Sequence, residues 1–314
     1  MRVIFFGTPE FAVPALDAVA ERFEVALAVA QPDRPKGRGR ALAAPPVKDA
    51  ALARGIAVLQ VESPNAPSAL YALKSLAPDL FVVVAYGAIL SRELLAVPKL
   101  GAINLHASLL PRHRGASPIQ AALLAGDAVT GVSIQRIVAE LDAGDVLLSR
   151  ERPIGPRETA GELLDALAEL AGAAAVEALD QLADGRARFE PQDPARVTVA
   201  RKLTKAHGRI DWSKGAWELE RFVRAMTPWP GARCSDASGR ELTVLAARVY
   251  DEGEAPGAQP GELIAADNRL VVACGRGVLE LLQIAPAGKR PMSGADYLRG
   301  ARLEQGQRFG TPGE

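Results

Sequence analysis

The chain has 314 residues, 48% of them hydrophobic and 24% charged, which allows a large buried core and argues against general disorder. Its 37 Lys and Arg balance 37 Asp and Glu, so the molecule as a whole is no polycation. No apolar run reaches the roughly 18 residues that a membrane span needs, and two cysteines, Cys234 and Cys274, make neither a disulfide framework nor a metal spacing. A cytoplasmic protein with two reduced thiols, no metal and no membrane association is expected. The charge is unevenly split. Residues 1–199 hold 20 Lys and Arg against 23 Asp and Glu, and the remainder 17 against 14, a slight tilt toward an anionic partner at the C-terminal end.

In chain order, residues 2–6 read as a continuous apolar strand that starts at once, with no leader ahead of it. Gly7-Thr8-Pro9 turns it into a helix from about Phe11 to Arg22, and Val25–Ala30 is a second buried strand. Strand, helix and strand of this length form a βαβ unit, so the sheet is parallel. The first turn lacks the spaced glycines of a dinucleotide site, which disfavours nicotinamide chemistry. Residues 31–48 form a loop with four prolines, two glycines and five cations against one acid. It reads either as a solvated basic loop or as an arm that orders against phosphates through Arg34, Lys36, Arg38 and Arg40.

Residues 47–58 read as helix and strand, and Ser68–Leu76 as another helix. The strand Leu80–Ala85 empties into the apolar loop Tyr86-Gly87-Ala88-Ile89-Leu90, at the edge of a parallel sheet where ligands bind. Pro118–Ala125 is a short helix, Gly131–Val138 and Val146–Leu148 are strands, and Gly161–Leu182 is a long helix rich in Leu and Ala. Composition shifts over 184–208, as in a linker. A helix at Ala216–Met226 is followed by short alternating runs at Leu242–Val249, Gly261–Ala265, Leu270–Ala273 and Val278–Ile284, which suggest a small barrel or sandwich.

The chemistry concentrates in 101–118, GAINLHASLLPRHRGASP, and in LDAGD at 141–145. Asn104, His106 and Ser108 occupy alternate positions, so in an extended segment they point the same way. Taken singly, His106 also reads as a core histidine and Asp142 as a turn-former bonding its own backbone. Together they offer an amide N–H for an oxyanion, an imidazole for a proton near neutral pH, and a carboxylate to orient it. No Ser or Cys nucleophile motif accompanies them, which suggests direct transfer between two bound substrates.

GAINLHASLLPRHRGASPIQ followed by LDAGD resembles the signature of the folate-dependent formyltransferases. FFGTPEFAVPALDAV, AQPDRPKGRGR, VVVAYGAIL, KLTKAHGRIDW, RAMTPWPGA and IAPAGKRPMSG are similar to the members of that family that act on methionyl-tRNA, so the likeness covers essentially the whole chain. The resemblance implies an α/β fold: a Rossmann-like, mostly parallel sheet with helices on both faces, then a small C-terminal β-barrel of the OB kind. It divides the chain into a catalytic domain at 1–189, a linker at 190–208 and a tRNA-binding barrel at 209–314. The implied activity is transfer of a formyl group from 10-formyltetrahydrofolate to the α-amino group of methionyl-initiator tRNA, by a cytoplasmic monomer. Asn104, His106 and Asp142 would then be the catalytic trio. Ser108, Leu109, Leu110 and Pro111 would line the folate site, with Tyr86, Gly87, Ile89 and Leu90 flanking the pterin. Arg34, Lys36, Arg38 and Arg40 would meet the acceptor end of the tRNA, with Lys202, Lys205 and Arg209 as further phosphate contacts. A sugar-nucleotide or glycinamide-ribonucleotide formyltransferase would share the first domain and the trio, a formyltetrahydrofolate hydrolase would pass the formyl group to water, and the intact trio weighs against a non-catalytic tRNA-binding module.

Overall fold

The computed structural model describes residues 1–36, 41–253, 257–264 and 268–310. The chain divides into two compact units, one of residues 1–118, 129–153 and 164–200, the other of 119–128, 154–163 and 201–314.

In the first unit β1 (Arg2–Gly7), α1 (Val13–Arg22) and β2 (Glu24–Ala30) form the expected βαβ unit, with β1 and β2 parallel. Within residues 31–48 the described part carries more regular structure than a loop reading expects. Its described residues include β3 (Arg34–Lys36) and β4 (Ala41–Ala43), paired antiparallel, and α2 (Pro46–Ala53) begins within it. Next come β5 (Val58–Gln60), α3 (Pro67–Ser75), β6 (Leu80–Val84), α4 (Arg92–Leu95), β7 (Ala102–His106) and β8 (Arg114–Gly115). Proline stands in the first turn of α1, α2 and α3, where its missing N–H has no partner to lose. After α5 (Pro118–Ala125), β9 (Val129–Arg136) and β10 (Val146–Pro153) complete a seven-stranded sheet of order β10-β9-β7-β6-β1-β2-β5, flanked by helices. Five strands are parallel; on one side β9 runs antiparallel to β7, and β10 antiparallel to β9.

Val3 to Phe6 are fully buried, and the Phe6 ring meets Phe81 and Tyr86 edge-on at 5.0 and 5.3 Å. At the carboxyl ends of the strands Thr8 ties two neighbours together. Its hydroxyl donates to the Tyr86 carbonyl at 2.9 Å and accepts from the Gln31 amide at 3.4 Å.

The long helix α6 (Ala160–Ala183) starts at a capping box, since Thr159 and Glu162 bond each other's backbone N–H groups. Donation from the Thr159 backbone and hydroxyl holds the Glu162 carboxyl below its ordinary range. Beyond it, the short strand β11 (Val199–Ala200) pairs with β8.

The second unit contains α7 (Ala216–Met226), β12 (Ala232–Ser235), β13 (Glu241–Asp251), β14 (Leu263–Ile264), β15 (Val271–Ala273), β16 (Val278–Pro286), β17 (Met292–Ser293) and α8 (Gly294–Ala301). The sheet has order β12-β13-β16-β15-β14 with β17 on β16, antiparallel throughout and curled into a half-barrel. Irregularities at three points between β13 and β16 supply the bend. The helix α8 has no counterpart in the sequence reading, because eight residues with glycine at two positions carry little helical signal. Among the described residues no helix is long and apolar enough to cross a membrane, and no group of three or more His, Cys, Asp and Glu could hold a metal.

Candidate active site

The site is built on β7 and its neighbour β9. Asn104 and His106 alternate along β7, so both project from one face, and in the antiparallel register they lie opposite Gln135 and Ser133 of β9. Asp142 arrives from the loop between β9 and β10. The structure brings all three together. Asn104 Nδ2 lies 3.4 Å from Asp142 Oδ1, and His106 Nδ1 lies 3.6 Å from Asp142 Oδ2. The His106 and Asp142 side chains are only 7% and 9% exposed, so the pair interacts largely shielded from bulk water.

Two stronger donors hold the carboxylate. Gln135 Nε2 donates to Oδ1 and the Gly115 backbone N–H to Oδ2, each at 2.9 Å. Asp142 itself has φ +50°, a left-handed conformation that Asp tolerates better than most residues. The glycine of LDAGD has a steric reason: a Cβ on Gly144 would sit 1.8 Å from the Arg136 carbonyl oxygen. Gly115 is constrained twice, by φ +116° and by the Ala200 carbonyl, 2.5 Å from where its Cβ would be.

The ring of His106 is oriented from its far side. Nε2 lies 2.9 Å from the His113 carbonyl, and a carbonyl only accepts, so Nε2 carries a proton. In the neutral ring Nδ1 is therefore the acceptor, facing Asp142. A proton received there lies beside the Asp142 carboxylate, 3.6 Å away. The group can thus take a proton from one reactant and present a cationic donor to a developing oxyanion, with the Asn104 amide as a second donor.

The remaining predicted residues divide by exposure. Ser108 is fully buried and its hydroxyl donates to the Arg112 carbonyl at 2.6 Å, so it shapes the loop from inside. Leu109 and Leu110 are half-buried and Pro111 buried. In the loop after β6, Gly87 and Ile89 are exposed, whereas Leu90 and the Tyr86 ring pack into the core. The Tyr86 hydroxyl is buried without a hydrogen-bond partner, and burial raises its pKa to about 12. Asn65 braces this loop with both ends of its amide, donating to Ile89 O and accepting from Ser91 N. Arg34 is exposed on β3, Lys36 lies on the same strand, and Arg38 and Arg40 lie outside the described residues. Lys202, Lys205 and Arg209 are exposed in the second unit.

Sequence reasoning missed Ser133, Gln135, Gly115 and Gln192. Ser133 Oγ accepts from the Leu110 amide, contacts Ser149 Oγ and donates to the Ser108 carbonyl, pinning the loop after β7. A signal existed for Ser133 and Gln135, since both interrupt the apolar pattern of a strand and are buried. Gln192, in the stretch PQDP, offered none.

Two family models match the chain, Formyl transferase over residues 1–179 and Formyl transferase, C-terminal domain, over 202–302. Methionyl-tRNA formyltransferase of Methylococcus capsulatus is 48% identical over 99% of this chain and 100% of its own length. The enzymes of the same name from Roseiflexus sp. and Xanthomonas oryzae are 45% and 47% identical, over 99% and 96% of this chain and 95% and 98% of theirs. Among solved structures, the sugar 3N-formyl transferase WlaRD, with dTDP and 5-N-formyl-THF, has a TM-score of 0.65 at 14% identity, covering 92% of this chain and 99% of that one. HypX from Aquifex aeolicus in complex with tetrahydrofolic acid has a TM-score of 0.62 at 18% identity, over 95% of this chain and 47% of that one. At those identities the likeness concerns the fold.

Proposed function

The chain belongs to the methionyl-tRNA formyltransferase family, and from that premise we propose how its residues carry a formyl group from 10-formyltetrahydrofolate to the α-amino group of methionyl-initiator tRNA. One observation supports the site assignment above all: Asn104 and His106 of β7 each come within 3.6 Å of the Asp142 carboxylate, which arrives from the loop between β9 and β10.

A free α-amino group titrates near pH 8, and the neighbouring ester carbonyl lowers it further, so no strong base is needed. The amine nitrogen attacks the formyl carbon, a C–N bond forms and the carbonyl oxygen becomes an oxyanion. The amine's proton moves to His106 Nδ1, which then joins Asn104 Nδ2 in donating to that oxyanion. As the intermediate collapses, the bond from the formyl carbon to folate N10 breaks. The proton lost by the amine passes through His106, held by Asp142, to that leaving nitrogen.

We assign Leu109, Leu110, Pro111, Gly87, Ile89 and Leu90 to the folate side, with Ser108 and Tyr86 supporting it from within. The catalytic domain is 1–189, and residues 209–314, joined through 190–208, take the tRNA. Arg34, Lys36, Arg38, Arg40, Lys202, Lys205 and Arg209 are assigned to its phosphates. Neutralising any one of these that touches a phosphate should flatten the salt dependence of tRNA affinity by about one in log–log slope. The enzyme acts as a cytoplasmic monomer and needs no metal.

The deciding experiment offers 10-formyltetrahydrofolate with charged initiator tRNA, uncharged tRNA, a nucleotide aminosugar and water alone. Formylation confined to the charged tRNA is the expected result. Formylation of the aminosugar, or release of formate without an acceptor, would overturn the reading.

A further inference from the structure

Residues 189–200 form a strap across both catalytic loops. At one end the Phe189 ring lies under the Arg136 guanidinium at 4.2 Å, and Glu190 exchanges two backbone hydrogen bonds with Val146, just past the Asp142 loop. At the other end Thr198 Oγ1 accepts from the His113 amide at 2.8 Å, and Thr198 and Ala200 accept from the amides of Arg114 and Ala116. The segment 113–116 held by that end supplies the carbonyl of His113 that orients His106 and the N–H of Gly115 that holds Asp142.

Between the two ends sits Gln192. Its Nε2 faces three carbonyl oxygens: Gly144 O at 2.7 Å, Asp142 O at 2.9 Å and Gln135 Oε1 at 3.3 Å. Its Oε1 accepts from Arg114 Nε at 3.0 Å. The amide orientations are mutually consistent. Gln192 donates to Gln135 Oε1, which turns Gln135 Nε2 onto Asp142 Oδ1. One side chain thereby fixes Asp142 twice, through its backbone carbonyl and, by way of Gln135, through its carboxylate.

We infer that Gln192 is a positioning residue of this active site, holding the Asp142 carboxylate in register with His106 Nδ1. The inference rests on the catalytic role proposed for Asp142. The left-handed backbone of Asp142 is a conformation that its own residue type does not enforce, so outside contacts must select it. An amide is the side chain that fits at 192. It gives N–H groups to oxygens on one end and an acceptor to an arginine on the other, which a carboxylate cannot do.

The test compares Gln192→Met, which keeps length and loses the amide, with Asp142→Asn and with both together, at saturating 10-formyltetrahydrofolate and methionyl-tRNA. A misplacement near 1 Å costs about hundredfold in rate, so kcat of Gln192→Met should fall by about tenfold to hundredfold. KM for the folate should move less than about twofold, since uniform binding is untouched. The double variant should be no slower than Asp142→Asn, because Gln192 acts through the group already lost. Wild-type turnover in Gln192→Met, or losses that multiply in the double variant, would overturn the inference. Full turnover in Asp142→Asn would instead overturn the role of Asp142 itself. Should the Met variant fail to fold, Gln192→Glu, the same shape with an oxygen facing three carbonyls, carries the test, and unchanged kcat there is equally fatal.

Discussion

Two buried aspartates, one in each unit, show how differently a fold can use the same carboxylate. Asp236, between β12 and β13, has a fully buried side chain surrounded by donors: Ser238 N and Oγ and Arg240 N on one oxygen, Arg240 Nε and Tyr297 OH on the other. Burial alone would push its pKa up, but the bonds from Tyr297, Ser238 and Arg240 outweigh it and bring the group down to about 2. Tyr297 moves the opposite way, raised by burial and by its bond to that anion. Asp142 receives two good hydrogen bonds, one long contact from Asn104, and a histidine nitrogen held at 3.6 Å. A saturated carboxylate has no capacity left for a substrate and serves the fold. One with an imidazole nitrogen close by and unbonded to it keeps room for a proton in transit.

The strongest way to break this comparison is to remove each group and read both rate and stability. Losing an oxyanion donor typically costs about hundredfold to thousandfold in kcat. Asn104→Ala should therefore lower turnover by about that amount, and Asp142→Ala, which leaves His106 unheld, should lower turnover far more than it changes folate KM, as initial rates will show. A defect confined to KM would count against the assignment. Asp236→Ala should do the reverse. It strands the hydroxyl of buried Tyr297, a loss of about 1–3 kcal/mol for an unsatisfied buried group. Urea unfolding should register that loss, with kcat unchanged at a temperature where the variant is folded.

A third test uses pH. Asp236 has a folded pKa of about 2, against about 3.9 in an unfolded chain. Its contribution is present above the unfolded value and disappears as pH falls through the folded one. Stability of the wild type should therefore drop more steeply between about pH 4 and pH 2 than that of Asp236→Asn. Parallel acid curves would show that the donors around Asp236 are not what holds it ionised.

The smallest effect concerns Tyr86, a third outcome in which a buried polar atom has no partner at all. Because such a group costs about 1–3 kcal/mol to bury, Tyr86→Phe should leave stability unchanged or raise it slightly, read as a shift in Tm. An unchanged folate KM in the same variant would keep the Tyr86 hydroxyl out of the folate assignment. A raised KM would give the hydroxyl a role in binding.

Much of this molecule is present in local patterns. Helices at 118–125 and 216–226 follow from apolar spacing and end where it ends. The alternation of Asn104 and His106 already puts an amide and an imidazole on one face. LDAGD announces a tight loop with a carboxylate in it. Within the basic stretch of 31–48, pattern failed because the β3–β4 pairing rests on partners that local periodicity does not carry. The linker-like composition after α6 likewise concealed the strap, whose role depends on Gln192 meeting Gln135, Asp142 and Gly144, 48 to 57 positions away in the chain.

The sequence by itself determined the alternation of strands and helices, the chemical types gathered at 104, 106 and 142, and the family. Only the tertiary structure decided that Asp142 stands between a glycine amide and two glutamines, and that His106 is turned by a backbone carbonyl. The physical reason is that periodicity reports which side of an element is buried, a property of neighbours along the chain. A hydrogen bond is directional and lasts only within a few tenths of an ångström, so it is settled by register between distant strands and loops.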